Sequence, residues 1–235
     1  MKKTTLFTLL TAFVLIPLTL YLGSRMTGRW YYLTSTLIIV EILIPFFLIF
    51  ERRRPQAREL VLLAVLCALA VASRVVVPIP SFKPIFGIIM ISGMAFGPQA
   101  GFLVGAVSAF ASNFILGGQG PWTPWQMMAY GVAGLLAGAL SGRGWLPRKP
   151  WVLAVFGFVS MVAVVGVLMD CCTIFTSLTK ITWSSVALVL TMGLRVNISH
   201  GIATAVTLML FSKPLLEKLD RVKLKYGMME PDGGA

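Results

Sequence analysis

The sequence predicts an all-α polytopic membrane protein, and two observations support that fold class. Hydrophobic residues make up 57% of the 235 residues and charged residues only 12%. The mean hydropathy of +0.88 lies outside the range of soluble globular domains. The apolar residues also gather in segments long enough to cross a bilayer, which takes about 20 residues per helix. The net charge of +12 comes from short basic clusters between these segments, a pattern typical of cytoplasmic loops, so we expect no nucleic-acid partner.

Eight apolar segments are candidates for membrane-spanning helices. They cover residues 5–22, 31–50, 60–77, 85–96, 100–116, 125–140, 151–169 and 186–211. The fourth segment is short for a span. The first has the basic start and apolar centre of a secretory signal peptide. Because no A-x-A-like cleavage site follows it, we favour an uncleaved first helix, although the charges do not decide between the two.

The basic clusters assign an orientation to these spans. They precede the first segment, at Lys2 and Lys3, and follow the second, sixth and eighth segments, at residues 52–58, 143–149 and 213–225. Lysine and arginine collect in cytoplasmic loops. We therefore expect a multi-pass protein of the cell membrane with both termini in the cytoplasm and with residues 117–124 on the outer side.

A charge-dense linker, ERRRPQARE, divides the chain into an extension and a core. Its proline, Pro55, is expected to interrupt any continuous helix there. The prediction is a two-helix extension over residues 1–54 and a six-helix core over residues 55–225. The last residues, 226–235, end in PDGGA and are expected to be disordered.

The most informative loop is GGQGPWTPWQMMAYG, from Gly117 to Gly131. It and the preceding helix end offer amide groups and flat aromatic faces, and a ligand pocket needs both. The candidates for substrate binding here are Asn113, Gln119, Trp122, Trp125 and Gln126. The alternative is a membrane-interface aromatic belt, which needs no ligand. Two prolines and three glycines predict a stiff, tight loop, which favours binding.

Polar and ionisable groups inside spans are the second set of candidates, because they are costly in a membrane and often functional. Asp170 closes the seventh segment, and the eighth carries Arg195, Asn197 and His200. Asp170, Arg195 and Asn197 are the substrate-binding candidates. A structural pair between Arg195 and Asp170 is an equally weighted alternative, and for His200 an interhelical hydrogen bond is favoured over catalysis.

Small residues recur at intervals of four along several spans. Ala64, Ala68 and Ala72 share one helix face, and such a face lets another helix approach closely in lipid. Taken alone, this stripe favours contact with a neighbouring helix of the same chain. Gly101 with Gly105, and Gly134 with Gly138, repeat the spacing and predict ordinary internal packing.

Several chemical functions are not supported by the sequence. It contains no G-x-x-x-x-G-K-[ST] phosphate loop, no H-E-x-x-H and no G-x-S-x-G, so ATP hydrolysis, zinc proteolysis and serine hydrolysis have no motif. The three cysteines, Cys67, Cys171 and Cys172, lack metal-ligand spacing, so no metal site and no cofactor is expected. We predict a protein that is not an enzyme.

The region from about Ala57 to Lys213 resembles the substrate-specific S component of an energy-coupling factor (ECF) transporter, the class that imports vitamins into prokaryotes. The resemblance rests on the six spans, the alanine-rich first core helix, the run FGIIMISGMAFGPQAGFLVGAVSAFASNF from Phe86 to Phe114, and the loop GQGPWTPWQM. The two additional N-terminal helices depart from the six-helix pattern of the family.

The resemblance implies a substrate-binding subunit without its own ATPase. Its partners would be a transmembrane T component, docked on Ala64, Ala68 and Ala72, and two cytoplasmic ATPases. Family sites open outward, which maps onto the loop PIPSFKP (Pro78 to Pro84), Trp122 to Gln126, Asp170, and Arg195 with Asn197. The loop resembles that of the S components assigned to cobalamin, so cobalamin or a related corrinoid is the first expectation, although S components for flavins, pyrimidines or deazapurines use aromatic residues equally. The alternatives are an autonomous permease and a non-transporting membrane scaffold.

Overall fold

A computed structural model describes residues 14–15, 18–19, 21–22, 30–52, 56–79, 82–178 and 180–227. Over these residues the chain forms helices and no strand. The helices are α1 (Trp30–Arg52), α2 (Ala57–Val76), α3 (Ile85–Phe96), α4 (Pro98–Asn113), α5 (Thr123–Gly142), α6 (Pro150–Ser177) and α7 (Trp183–Lys225). Each predicted span from the second to the eighth coincides with one of them. Most of the predicted first span, the question of its cleavage and most of the predicted disordered tail lie outside the described residues.

The length and composition of the helices agree with a membrane protein. Within the described part of the chain, α2, α6 and α7 are long and apolar enough to cross a bilayer, and shorter apolar helices cover Thr36–Pro45 and Ile85–Phe96. The all-α polytopic fold, with a six-helix core after an N-terminal extension, is therefore confirmed. The division into domains at residues 54 and 225 stays a prediction.

Helix α3 is the centre of the core. All its residues from Ile85 to Ala95 are buried, and it packs against α2, α4, α5 and α7. Its sequence, IFGIIMISGMAF, is apolar on every side, as expected for a helix surrounded by other helices. The 12 residues of α3 extend only about 18 Å, so this helix is shorter than the hydrocarbon core of about 30 Å.

Glycines bring the backbones of α3, α4 and α5 into contact. A Cβ atom on Gly101 would lie 2.5 Å from the backbone oxygen of Gly134, and one on Gly138 would lie 2.7 Å from that of Gly93. Neither backbone atom can move aside as a flexible side chain could. The predicted internal packing role of the α4 and α5 glycines is therefore confirmed.

Helix α1 packs directly on the core, against α4, α5 and α6. The buried side chains of Ile39 and Leu43 join a cluster with three core helices, and the Thr36 hydroxyl donates to the Pro121 carbonyl at 3.3 Å. The core members of the cluster are Phe102, Ala106, Trp125 and Cys172. This half of the extension is thus part of the packed bundle.

The alanine stripe of α2 points away from the bundle. Helix α2 buries Leu63, Leu66 and Ala70 against α3 and α4, whereas Ala64, Ala68 and Ala72 are exposed. In the described part of the chain, therefore, no other helix covers the stripe. The expectation that it serves packing within the same chain is wrong for these residues.

The end of the bundle that carries most of the basic residues, here called the basic end, is closed by the last turns of α7. Lys223 donates to the Ala95 carbonyl at the end of α3, and its ammonium lies 5.4 Å from the centre of the Phe96 ring. Asp220 pairs with Arg148 from the α5–α6 connection at 2.6 Å. The opposite end, which carries residues 114–122, is called the loop end.

Candidate ligand site

A cavity of about 220 Å³ lies between α2, α3, α5, α6 and α7, in the half of the core nearer the loop end. Its walls combine aromatic and aliphatic side chains with a few polar groups, the usual composition of a small-molecule site. The lining residues are Arg74, Phe86, Gln126, Tyr130, Met161, Val165, Gly166, Met169, Val196, Asn197 and His200.

Two irregularities of the helices create this space. Helix α3 ends beside Lys223 at the basic end, and because it is short, its first turn with Phe86 falls inside the core instead of reaching the loop end. Helix α6 contains a π-helical turn over Met161–Val165, and Met161 and Val165 line the cavity. Single π turns inside α-helices are frequent at functional sites.

A buried polar pair joins α6 to α7 at the cavity. The Asn197 side-chain nitrogen donates to Asp170 Oδ2 at 2.9 Å. Two glycines make the approach possible: a Cβ on Gly166 would lie 2.6 Å from Asn197 Nδ2, and one on Gly193 would lie 2.8 Å from Asp170 Oδ2. Each polar side chain therefore packs against a glycine of the facing helix, and the bond satisfies groups that would be costly to leave unpaired.

A second polar network joins α2, α4 and α5. Arg74 Nη1 donates to the Ser112 hydroxyl and, at 3.0 Å, to Asn113 Oδ1. Asn113 Nδ2 in turn donates to Gln126 Oε1 at 2.7 Å. The Arg74 guanidinium also lies 5.6 Å from the centre of the Tyr130 ring. The network holds Arg74 and Gln126 at the cavity wall.

Aromatic rings form the apolar part of the wall. Phe86 and Tyr130 meet edge to face with centroids 4.4 Å apart, and the His200 ring meets Phe86 at 5.9 Å and 79°. His200 Nδ1 bonds the Val196 carbonyl of its own helix at 2.9 Å. The hydrogen bond of His200 is thus within α7. The expected interhelical hydrogen bond of His200 is not observed among the described residues.

The loop after α4 is organised by Gln119. Its side-chain nitrogen donates to the Phe110 carbonyl at 2.9 Å, and its side-chain oxygen accepts from the Thr123 hydroxyl at 2.9 Å. Gly117 and Gly118 adopt φ angles of 85° and 75°, which glycine tolerates and other residues rarely do. The predicted tight loop is present, and Gln119 uses its amide to hold it together.

The two tryptophans of the loop differ in their surroundings. Trp125 is 7% exposed, stacks on Phe175 with centroids 5.9 Å apart, and belongs to the cluster that α1 covers. Trp122 is 39% exposed. Neither side chain lines the cavity. Trp125 therefore packs the extension against the core, a role its position beside the loop did not indicate.

The remaining candidates are divided between the cavity and the surface. Gln126 and Asn197 line the cavity. Asn113 and Asp170 do not line it, but each is hydrogen-bonded to one of these two lining residues. Arg195 is exposed on α7, because it lies two residues from the inward-facing Asn197 on the helix. The alternative pair between Arg195 and Asp170 is not formed among the described residues; Asp170 accepts a hydrogen bond from Asn197 instead.

Several lining residues were not among the sequence candidates. Arg74, Phe86, Tyr130 and Met161 belong to this group. Only Arg74 carried a signal, as an ionisable residue near the end of an apolar segment. Among the described residues, no group of three or more His, Cys, Asp or Glu side chains could hold a metal ion.

A helical membrane bundle that encloses a mixed aromatic and polar cavity is the architecture of a membrane-embedded binding protein. The family model for the ECF-type riboflavin transporter S component matches residues 55–217, more than half of the chain. The chain belongs to this family of S components, as its resemblance predicted. No curated protein and no solved structure gave a match.

Membership in the family defines the general activity. The chain is a membrane-embedded, substrate-binding subunit of an ECF transporter for a vitamin. S components work with a T component and ATPases and bind a small vitamin substrate. The family is one of transporter subunits. Its riboflavin type does not confirm the expected cobalamin substrate.

Proposed function

We propose that this chain binds riboflavin, or a close flavin precursor, in the α2–α7 cavity and delivers it to an ATP-driven ECF module. The observation that supports this substrate most directly is the match to the riboflavin-type family over residues 55–217. The matched segment contains every residue that lines the cavity, from Arg74 to His200. These side chains are therefore expected to determine which substrate the members of the family bind.

The chemistry of the wall suits a flavin. An isoalloxazine ring is flat, with an apolar dimethylbenzene end and a polar dione end. Phe86, Tyr130 and Met161 offer aromatic and thioether surface for the apolar end, since rings pack favourably on both. Gln126 and Asn197 offer hydrogen bonds for the polar end.

The size of the cavity favours a flavin over a corrinoid. At about 220 Å³, it is below the usual range for drug-sized ligands, which begins near 300 Å³. A tricyclic ring fits such a space with modest opening, whereas a corrin macrocycle with its side chains is several times larger. The loop-based expectation of cobalamin is thus the weaker of the two substrate proposals.

The loop end is proposed to face outward and the basic end inward. Arg58, Arg143, Arg148 and the lysines at the end of α7 all lie at the basic end, and basic residues favour the cytoplasmic side. The cavity then opens toward the medium from which the vitamin is taken. Gln119 and Trp122 would shape the outer cover of the site, and a direct ligand contact from either stays a prediction.

The exposed alanine stripe is the proposed docking face for the T component. Ala64, Ala68 and Ala72 are exposed in a helix that also exposes Val61 and Val65. Close helix packing in lipid depends on such small residues. Helix α1 packs on α4, α5 and α6, so the described half of the extension leaves the stripe open. The ATPases would then act through the T component.

Titration of the purified full chain with riboflavin, followed by quenching of flavin fluorescence, tests the proposed substrate. The Gln126→Leu variant removes a lining polar group and is expected to weaken binding at least about tenfold, the equivalent of one lost hydrogen bond. Thr191→Leu is the matched control, because Thr191 is exposed on α7 and bonds only its own helix in the described structure. Tight binding of a corrinoid with no binding of riboflavin would refute the proposal.

A further inference from the structure

We infer that Arg74 is the specificity-determining residue of the cavity and that it recognises a cyclic imide edge, with two carbonyl oxygens flanking an N–H. This inference rests on the proposed function, because it names the residue that recognises the vitamin. Arg74 is distinguished by its partners in the structure.

Every recorded partner of Arg74 is neutral. Its hydrogen bonds go to Ser112 and Asn113, and its guanidinium lies over the Tyr130 ring. No carboxylate pairs with it in the described part of the chain; Asp220 pairs with Arg148 and Lys223 at the basic end. Asp170, the buried acid on the cavity side of α6, is bonded to Asn197.

When a guanidinium is partly removed from water and no opposite charge lies beside it, its lost hydration is poorly compensated. Burying such a charge is unfavourable unless partners replace the lost water. Arginine has only donors, and among the described residues its hydrogen bonds all start from Nη1. The remaining donors of Arg74 are therefore available to a ligand that presents acceptors at the cavity wall.

The direction of the neighbouring hydrogen bonds extends this donor surface. Asn113 accepts from Arg74 through Oδ1 and donates through Nδ2 to Gln126 Oε1. This leaves the Gln126 side-chain nitrogen, also at the cavity, as a donor. Two lining residues from neighbouring helices thus offer donors for two acceptor oxygens.

The opposite wall supplies the complementary acceptor. Asn197 uses its side-chain nitrogen on Asp170, which leaves its carbonyl oxygen for a ligand N–H. Arg74 and Gln126 thus offer two donors and Asn197 one acceptor, which are the groups that the two carbonyl oxygens and the N–H of an imide edge require. A cationic ligand would meet the Arg74 charge without compensation, so the cavity selects against positively charged vitamins.

A double-mutant cycle between protein and ligand tests this inference. The full chain and its Arg74→Met variant are titrated with riboflavin and with its 2-thio and 4-thio analogues, in which sulfur, a poorer acceptor, replaces one carbonyl oxygen. The wild-type protein is expected to bind at least one analogue about tenfold more weakly than riboflavin. Arg74→Met is expected to bind riboflavin about thirtyfold more weakly and to lose that discrimination, since the partner of the oxygen is gone.

Controls separate recognition from folding. Arg143→Met removes an exposed arginine that lies over Trp145 at the basic end and is expected to leave all three affinities unchanged. Arg74→Lys keeps the charge but loses the planar fork. It is expected to fold as the wild type does in a thermal unfolding measurement and to show reduced discrimination.

The outcomes distinguish the two proposals. Wild-type binding of riboflavin together with an unchanged thio-analogue penalty in Arg74→Met or Arg74→Lys would overturn the role of Arg74 and leave the proposed function standing. Failure of the wild-type chain to bind riboflavin would overturn the proposed function and this inference with it. Loss of discrimination in both Arg74 variants, with Arg143→Met normal, would support the inference.

Discussion

Substitution of Gly166 by alanine tests whether the Asp170–Asn197 pair organises the cavity. The new Cβ would lie 2.6 Å from Asn197 Nδ2, well inside van der Waals contact, so the Asn197 side chain must move. Its 2.9 Å bond to Asp170 would then be lost or lengthened. Asn197 also lines the cavity, so stability and ligand binding should change together.

The magnitude follows from the groups involved. A hydrogen bond to a charged group contributes about 1.5–3 kcal/mol. Replacing a helical glycine by alanine raises the free energy of unfolding by about 1 kcal/mol through helix propensity. We therefore expect a net loss of about 0.5–2 kcal/mol in the free energy of unfolding, and a loss of riboflavin affinity of about tenfold.

Thermal unfolding of the detergent-solubilised protein, with and without riboflavin, measures both effects. Gly142→Ala is the matched control, because a Cβ on Gly142 would have nothing within 4 Å and gains only the propensity term. It should be neutral or slightly stabilising. If Gly166→Ala kept wild-type stability and affinity, the argument that the two glycines position the polar pair would be refuted.

Three further predictions concern the surfaces and the extension. Ala68→Trp is expected to abolish ATP-dependent uptake and to leave riboflavin binding intact, because it blocks the exposed stripe; retained uptake in membrane vesicles would remove the partner role from α2. Lys223→Met should lower the thermal unfolding midpoint by the equivalent of about 1–2 kcal/mol, since the Ala95 carbonyl loses its donor, and an unchanged midpoint would contradict that bond. Leu43→Ala, at a buried site of α1, should lower the free energy of unfolding by about 2–4 kcal/mol with little effect on riboflavin affinity. Leu37→Ala, at an exposed site of the same helix, should lower it far less. Equal losses of stability would mean that α1 is not packed on the core.

Much of the helical framework was predictable because apolar segments and basic loops are long-range, additive signals. The segment at residues 85–96 was recognised from its apolar composition although it is short for a span, and it coincides with α3. The close packing at Gly101 and Gly134 was also predictable, since small residues at intervals of four let helices approach; the same spacing in the alanine stripe did not show that the stripe faces away from the described bundle.

The site was predictable only in part. Asn197 was found because polar residues in spans are costly and therefore informative, and Gln126 because its loop offers amide groups beside aromatic faces. The π turn at Met161–Val165 has no composition signal, yet it sets which side chains of α6 reach the cavity. Trp125 packs in the α1 cluster, which the sequence did not indicate because an aromatic residue beside a loop suits a ligand wall and a packing interface equally. Arg195 lies on another face of α7 than Asn197, because two residues along a helix turn a side chain to a different face, and its contact with a substrate stays a prediction.

Mass spectrometry of the small molecules released from the full chain, after purification in the presence of riboflavin and a corrinoid together, decides between the two substrates. Riboflavin, and not the corrinoid, is expected to be retained by the wild-type protein and released on denaturation. Arg143→Met is expected to retain as much flavin as wild type, and Gln126→Leu to retain less. Retention of the corrinoid alone, or of neither molecule by a folded sample, would contradict the proposed function.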